Sequence, residues 1–504
     1  MVIATTGDAD VLLPPVTTVT TGINVSDLIF CRLAELKAGL NTVDDSGYRP
    51  VLARSWTHPD SLTIVFHLDP RARWQDGVPV RAADVVYTFG VYRDTVVNSP
   101  LAPFLEPIGT VTALDTLTVA FHFTHWYPEQ LYDATYQMRI LPRHLLDTIP
   151  DARLASAPFG RAPVGDGPYR FVRWEAGSAI TLAADSGWFL GRPGIGRLVW
   201  RVTPDLATAV SELLGGEADA MEVIPAPGQL ARVEASRGVR LVAYPSPFYA
   251  GIVFNQRRPL LASRDLRRAL AMGLDRATIV RSVFGRYADV AVGATSPMQW
   301  IYSDSIRQLP YDTAAAARAL DRMGWRAAAP GAVRRRNGAP LRFTLLVPTS
   351  SQVRQRAAVI AQDEWRRLGV DVRIEPLEFT VMERRTARGD FDAAFESRTI
   401  DPSPASLLQW WSPGSAGNIG AYDDPAFQTL TAAAMRQPTR AGAAPLWRRA
   451  LEQLNADAPA VFLFSPRNEA AFSDRVDDVT IRPDSWLATV TTWRLRPGDA
   501  ARGR

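Results

Sequence analysis

A lysine that follows a glycine-rich turn and precedes Ser or Thr would cradle phosphates. The sole lysine of this chain, Lys37, is followed by Ala38, which excludes such a loop. Gly165-Asp166-Gly167 has the look of a dinucleotide turn, but Pro168 follows and a strand pattern begins. A dinucleotide site needs a strand before and a helix after. The histidines are His58, His67, His122, His125 and His144. His122 and His125 lie three apart on an expected strand, so they point to opposite faces and do not share a metal. No Gly-x-Ser-x-Gly elbow and no His-Glu-x-x-His helix occurs. Cys31 is the only cysteine, which excludes an intrachain disulfide and a multi-cysteine metal site. After Leu28-Ile29-Phe30 it reads as a buried helical thiol. Carboxylates are many, yet no spacing singles out a catalytic pair. These residues point to a protein that is not an enzyme and holds neither cofactor nor metal.

The elements that would position any site come from a chain of 504 residues with 47% hydrophobic and 21% charged residues. That length suggests about two to four domains with sizeable cores. No run of about 18 apolar residues occurs, so no membrane span is expected. The net charge is +4 and rests on arginine. The arginines are interleaved with acids, and the bias reads as codon chemistry of a GC-rich genome. The densest cluster, Arg334-Arg335-Arg336, precedes Asn337-Gly338 and reads as an exposed hairpin turn, not a nucleic-acid surface. "MVIATTGDAD" has no basic or apolar leader, so the sequence as given carries no secretion signal.

Strand patterns dominate the first half. "SLTIVFHL" (61–68) and "TLTVAFHF" (116–123) alternate apolar and polar residues, and 167–185 reads as a hairpin across Ala176-Gly177. "RARWQDGVPVRAADVVYTF" (71–89) joins a tryptophan, an Asp-Gly turn and a helix start, with Asp84 in the first helical turn. The second half alternates helix and strand. Residues 263–284 give a pair of amphipathic helices, 312–325 a helix, 340–349 a strand, and 352–379 a helix then a strand. That is an α/β pattern. A connection near 244–255 precedes a new strand.

Several of these segments, taken in order, resemble the family 5 extracellular solute-binding proteins of bacterial ABC importers. In 49–89 the residues in register are Pro50, Leu52, Ala53, Trp56, Phe66, Leu68, Trp74, Asp76, Gly77, Ala82, Asp84 and Val85. "GDGPYRFVRWEAGSAITLAAD" resembles the family's Gly-x-Gly-Pro-Tyr hairpin. Phe254-Asn255, Arg267, Ala269-Leu270 and Asp275-Arg276 match the strand and helix that follow its hinge. "YDTAAAARALDRMGW", "GDFDAAF" and "GNIGAYDDPAFQTL" complete the series. One departure is Arg81, which stands where the family has a threonine helix cap.

The resemblance implies an α/β, two-lobed periplasmic-binding-protein type II (Venus-flytrap) fold with an extra subdomain in the first lobe. The expected boundaries are 1–25, 165–242 and 482–504 for the first lobe, 26–164 for the extra subdomain, and 243–481 for the second lobe. It also implies a monomeric extracytoplasmic receptor, periplasmic or at the cell surface. Such a receptor captures a peptide or small solute between its lobes, closes by a hinge, and delivers it to a membrane permease and ATPase. The alternative is a cytoplasmic solute sensor that uses the same fold to regulate a partner. The missing leader favours it, and the lack of a helix-turn-helix before residue 30 counts against it.

Ligand-binding candidates implied by the resemblance are Tyr249, Trp300, Arg398, Asp401, Trp410, Trp411 and Asn418. Counting without gaps from Phe391-Asp392 puts Arg398 at the family's tryptophan. It puts Asp401 at the aspartate that holds a peptide α-ammonium group. A gapped pairing instead makes Asp401-Pro402 a later Asp-Pro with no anchoring acid, or simply an Asx-type turn. Arg398, in place of the tryptophan, either pairs with Asp401 or binds a ligand carboxylate or phosphate in bidentate fashion. Of Trp410 and Trp411, one is expected in the core and the other toward ligand. Trp300 packs under a loop or lines the site, and Asn418 caps a turn or meets ligand.

Overall fold

The computed structural model describes residues 1–329 and 331–496. The chain forms two compact units, Met1–Tyr244 with the segment from Asn468 onward, and Pro245–Arg467. The first crossing falls at 244/245, close to the expected 242/243. The return falls at 467/468 and not at 481/482. The physical reason is pairing: Ala471 and Phe472 already add to the first unit's sheet beside Met221 and Ala220. Of the expected first-lobe segment 482–504, residues 497–504 lie outside the described residues.

In the first unit, β1 (Val2–Thr5) begins the main sheet. A separate four-stranded antiparallel sheet has the order β2-β3-β5-β4 and comprises β2 (Ala53–Asp60), β3 (Thr63–Leu68), β4 (Ile108–Ala113) and β5 (Thr118–Phe123). It lies within the expected extra subdomain. The main sheet continues through β6 (Tyr169–Glu175), β7 (Ala179–Ala184), β8 (Arg197–Val202) and β9 (Ala220–Met221), in the order β9-β1-β8-β7-β6. The β6–β7 hairpin turns at Gly177, whose φ of +70° needs a glycine-like conformation.

The 71–89 stretch is built around that sheet. Gly77 takes φ +93° in the turn after Trp74, and the buried Trp74 donates its backbone N–H to Val78 O. Gln75 N–H donates to Gly165 O, while Gln75 Oε1 accepts from Gly165 N–H. Helix α1 (Thr20–Ile29) ends against Gly165 and Gly167, where a Cβ would collide with the carbonyls of Ile29 and Leu28. The Gly-x-Gly spacing is therefore a close backbone approach and not a phosphate cradle. Cys31 lies just past α1, buried but not helical, because the chain turns extended at Phe30.

Helix α2 (Ala82–Arg93) solves the missing-cap problem from inside. Asp84 Oδ2 accepts from Arg81 N–H at 2.8 Å, and Oδ1 accepts from Arg143 N–H at 3.1 Å. One buried carboxylate thus caps its own helix and also meets the first N–H of the short helix Arg143–Leu146. His122 pairs with Thr63 through Nδ1, and His125 lies beyond the end of β5, so the two are not on one strand.

In the second unit, β10 (Phe248–Phe254) follows the crossing. Helices α3 (Arg264–Met272) and α4 (Arg276–Phe284) come next. Then come β11 (Arg342–Pro348), α5 (Gln352–Arg367), β12 (Asp371–Leu377), α6 (Phe379–Ala387) and β13 (Ala393–Thr399). Helix α7 (Ser406–Trp411) and the long β14 (Ala460–Ser473) complete the set. The sheet order is β12-β11-β13-β10-β14, parallel at β12-β11-β13 and antiparallel after that. Apolar residues of α3, α4 and α5 bury one face of this sheet with Phe254, Phe343, Leu345 and Phe395. Trp365 packs there edge-on to Phe343 and donates to Leu270 O.

The arginine cluster differs from the expectation in one residue. Asn337 and Gly338 form the left-handed turn of a short hairpin, and Arg335 and Arg336 are exposed. Arg334 is buried, donating to Leu368 O, Trp325 O and Asp321. A guanidinium with several donors can enter a core when carbonyls meet it.

Two stability predictions follow from the first unit. Asp84→Ala leaves two part-buried N–H groups without an acceptor and removes a helix cap, so it should cost about 1 kcal/mol or more in urea unfolding. A cost within about 0.5 kcal/mol would show that water or other groups cap α2. Asp166 is buried, accepts from Cys31 N–H at 2.7 Å, and leaves its Oδ2 unpaired. Burial pushes its carboxyl up to about 7, whereas the unfolded chain releases that proton near about 3.9. Between those values the folded state binds more protons. Stability should therefore fall as pH rises, by up to about 1.4 kcal/mol per pH unit, and level off above. Asp166→Asn should lose that slope. Parallel pH dependences for wild type and Asp166→Asn in chemical denaturation would count against it.

Candidate functional site

Side chains alternate along β13, and this decides what the second unit presents. Ala393 and Phe395 enter the helix-covered core. Glu396 and Arg398, one step out of phase with them, share the other face. Tyr249 of β10 stands opposite Arg398 in the ladder. Helix α7 closes over this face. Trp411 Nε1 donates to the Tyr249 hydroxyl at 3.0 Å, and its ring meets Phe462 and Tyr422 edge-on. Tyr249 and Trp411 are both buried. Burial holds the Tyr249 phenol above its usual range, so it remains a neutral acceptor.

Trp410, the next residue round the helix, is half-buried. Its ring centroid lies 4.6 Å from the Arg398 guanidinium, and its Nε1 donates to Thr399 O at 3.1 Å. Arg398 is 7% exposed and its ion-pair partner is Glu396 at 3.7 Å, not Asp401. Burial raises the Glu396 carboxyl above its ordinary range, while the Arg398 charge opposes that rise.

Between β13 and α7 the chain makes a polar loop. Asp401 Oδ1 accepts from Ser403 N–H at 2.9 Å, the Asx-type turn before Pro402. Gln299, buried, donates its amide to Asp401 O and Ser403 O. Asp401 itself is half-buried.

Tyr249, Arg398, Trp410 and Trp411 thus meet on one face, with Asp401 on the loop beside it. Asn418 does not offer its amide to that face. Its Nδ2 donates to Ser412 O and Tyr422 O, and its Oδ1 accepts from Tyr422 N–H. It clamps a turn that places Ala421 at φ +54°. Trp300 is buried against Arg440, 5.7 Å from ring to guanidinium. Glu396 and Gln299 were missed by sequence reasoning. The i, i+2 spacing of Glu396 and Arg398 on an expected strand could have found the first, whereas Gln299 carries no local signal. Among the described residues no group of three or more His, Cys, Asp or Glu is placed to hold a metal. Among the described residues no helix is long and apolar enough to cross a membrane.

Two α/β units joined by two chain crossings, one carrying a small extra sheet, have the architecture of a type II periplasmic binding protein. Residues 47–418 match the model of bacterial extracellular solute-binding proteins, family 5, and the chain belongs to that family. It is 25% identical over 430 residues to the oligopeptide-binding protein AppA of Bacillus subtilis, covering 84% of this chain and 79% of that protein. A Brucella melitensis protein, named as an ABC transporter peptide-binding protein, is 29% identical over 282 residues, 54% of this chain and 51% of its own length. The solved AppA structure, in complex with a nonapeptide, superposes with a TM-score of 0.79 at 23% identity over 99% of both chains. NikA of Brucella suis in complex with Fe(III)-EDTA gives 0.85 at 18% identity, covering 98% of this chain and 99% of its own. The chain is accordingly a solute-binding protein, and the sensor alternative finds no support among these relatives.

The aromatic face yields one prediction. Trp411→Phe keeps the ring and deletes the donor to the buried Tyr249 hydroxyl. It should cost about 1 to 3 kcal/mol. The double change with Tyr249→Phe should recover part of that loss, which a double-mutant cycle in urea would read; strict additivity would mean that the bond contributes nothing.

Proposed function

We propose that this chain is the extracytoplasmic receptor of an ABC importer, and that it binds a peptide or peptide-like solute on the α7 face of its second unit. The observation that carries this reading is Trp410. Its neighbours Tyr249, Arg398 and Trp411 are all buried, so Trp410 is the aromatic ring this face can offer. An aromatic wall with a few polar groups suits a ligand of mixed chemistry. The nonapeptide held by Bacillus subtilis AppA and the chelate held by Brucella suis NikA mark the range of solutes this fold accepts. The peptide-binding names among the sequence relatives favour the first class. A receptor of this kind works as a monomer at the cell surface or in the periplasm, beside a permease and an ATPase. It releases its ligand chemically unchanged.

Native mass spectrometry of the purified protein, with calorimetry on a panel of short peptides, tests the ligand class. Peptide is expected back intact after long incubation. Turnover that is lost in Trp410→Ala would overturn the receptor reading. Asp401 is proposed as the acid that meets a peptide's α-ammonium group. Asp401→Asn keeps an acceptor for the Ser403 turn and removes only the charge. It should weaken binding of free-amine peptides by roughly tenfold to a hundredfold, or about 1.4 to 2.8 kcal/mol, with little change in melting temperature. N-acetylated peptides should bind both forms alike. Equal loss for both peptide types would make Asp401 a turn residue only.

A further inference from the structure

Glu396 and Arg398 sit two residues apart on β13, 3% and 7% exposed, with 3.7 Å between Oε2 and Nη1. The other carboxylate oxygen, Oε1, is buried and has no hydrogen-bond partner. A buried pair that leaves one oxygen unpaired is a poor source of stability, since desolvation offsets most of the attraction. Well-packed apolar residues would serve the fold as well. The pair therefore calls for another role, and the next contact supplies one. The guanidinium that Glu396 holds is the one lying under the Trp410 ring, 4.6 Å from its centroid. A cation beneath a ring attracts the ring's negative face. Trp410 is then fixed from two sides, by Arg398 below and by its Nε1 bond to Thr399 O. The remaining charges acting on Glu396 are Arg354 of α5, which donates to Phe395 O at 3.4 Å, and Glu383 of α6.

We propose that Glu396 is a positioning residue of the ligand wall: it holds Arg398 as an internal counter-ion and thereby fixes the Trp410 ring that the wall presents. The inference rests on the reading of the α7 face as that wall. One consequence concerns specificity. Arg398 is committed inward, so the wall meets its solute with an aromatic surface and not with a free guanidinium. A ligand carboxylate gains no bidentate partner there.

The test uses the full-length, ligand-free protein labelled with 5-fluorotryptophan. The Trp410 resonance is assigned by its absence in Trp410→Phe, and those of core Trp365 and Trp447 likewise. The Arg398 Nε–H signal is assigned through Arg398→Lys. In Glu396→Gln the Trp410 resonance should shift or broaden, while Trp365 and Trp447 stay in place. Solvent exchange of the Arg398 Nε–H should quicken by about tenfold, the effect of losing about 1.4 kcal/mol of local protection. Glu396→Asp keeps the charge but draws it back, and should move both signals the same way by less. It also serves if Glu396→Gln does not fold. Trp410 and Arg398 signals unchanged in the variant that folds would overturn the proposal. Because no ligand is present, the result is independent of the wall reading. A wild type that binds no peptide yet shows these changes would sink that reading and leave Glu396 as the group that positions Trp410.

Discussion

Where a strand or helix ends inside a protein, its backbone N–H and C=O groups lose water and must find other partners. Much of this chain's distinctive sequence answers that constraint. Arg267, buried, donates to the carbonyls of Leu261, Ala262, Asp457 and Ala458, joining the start of α3 to the entry of β14. Arg276 donates to Leu309 O and Ala271 O. Asn255, fully buried, gives its amide to Gly389 O and Phe391 O and accepts from Arg257 N–H. Asp84 performs the same service for two N–H groups. Asp392 takes the N–H of Thr344. These are the residues that carry the family resemblance. The geometry explains why each type stands where it does: each is a hydrogen-bond partner of backbone groups at the ends of elements.

The same constraint sorts the candidate site. Asn418 and Gln299 are held by carbonyls, so their polarity belongs to the loops around α7 and not to a solute. Trp411 is bound to Tyr249 and walled by Phe462. On the proposed reading, recognition falls to the half-buried Trp410 indole and the loop that carries Asp401. That set is small because a short helix can be seated firmly only if most of its side chains face inward. A six-residue helix has too few internal bonds to stand alone. The aromatic packing beneath α7 supplies that support, and the rigidity it gives is what lets one half-buried ring act as a fixed surface.

Long periodic elements were legible. The 352–379 stretch reads as helix then strand because its apolar period switches from about 3.6 to about 2, and the structure places Gln352–Arg367 and Asp371–Leu377 there. The Asp76-Gly77, Ala176-Gly177 and Asn337-Gly338 turns were legible from φ requirements alone. The return crossing was not, because one continuous strand, Ala460–Ser473, runs straight through the turn-like Ser465-Pro466-Arg467-Asn468 and changes pairing partners within it. Arg334 was read as exposed because charge runs usually are. Its burial depends on carbonyls of Trp325 and Leu368, 9 and 34 positions away, which only the fold brings to its guanidinium. For the site, Trp410 and Trp411 were recognisable as a pair with different fates. Which one faced inward was decided by Tyr249, a residue 162 positions away. The partner of Arg398 was misjudged for a simpler reason. Asp401 lies three residues along, past the end of the strand, whereas Glu396 shares its face.

Arginine enrichment reads from composition as a property of codons, and its origin does not settle its use. With Lys37 as the only lysine, every buried cationic side chain among the described residues is a guanidinium. A guanidinium presents five N–H donors in a rigid plane, while an ammonium presents three on a flexible stem and is hydrated more strongly. Arg267 reaches four carbonyls, and Arg334 reaches two carbonyls and a carboxylate. Lysine could do neither at that depth. Arg398 adds a further property, a flat cation that can lie against an indole. The composition therefore provides the cation that ties buried carbonyls together here, and on β13 that same cation underlies the Trp410 ring.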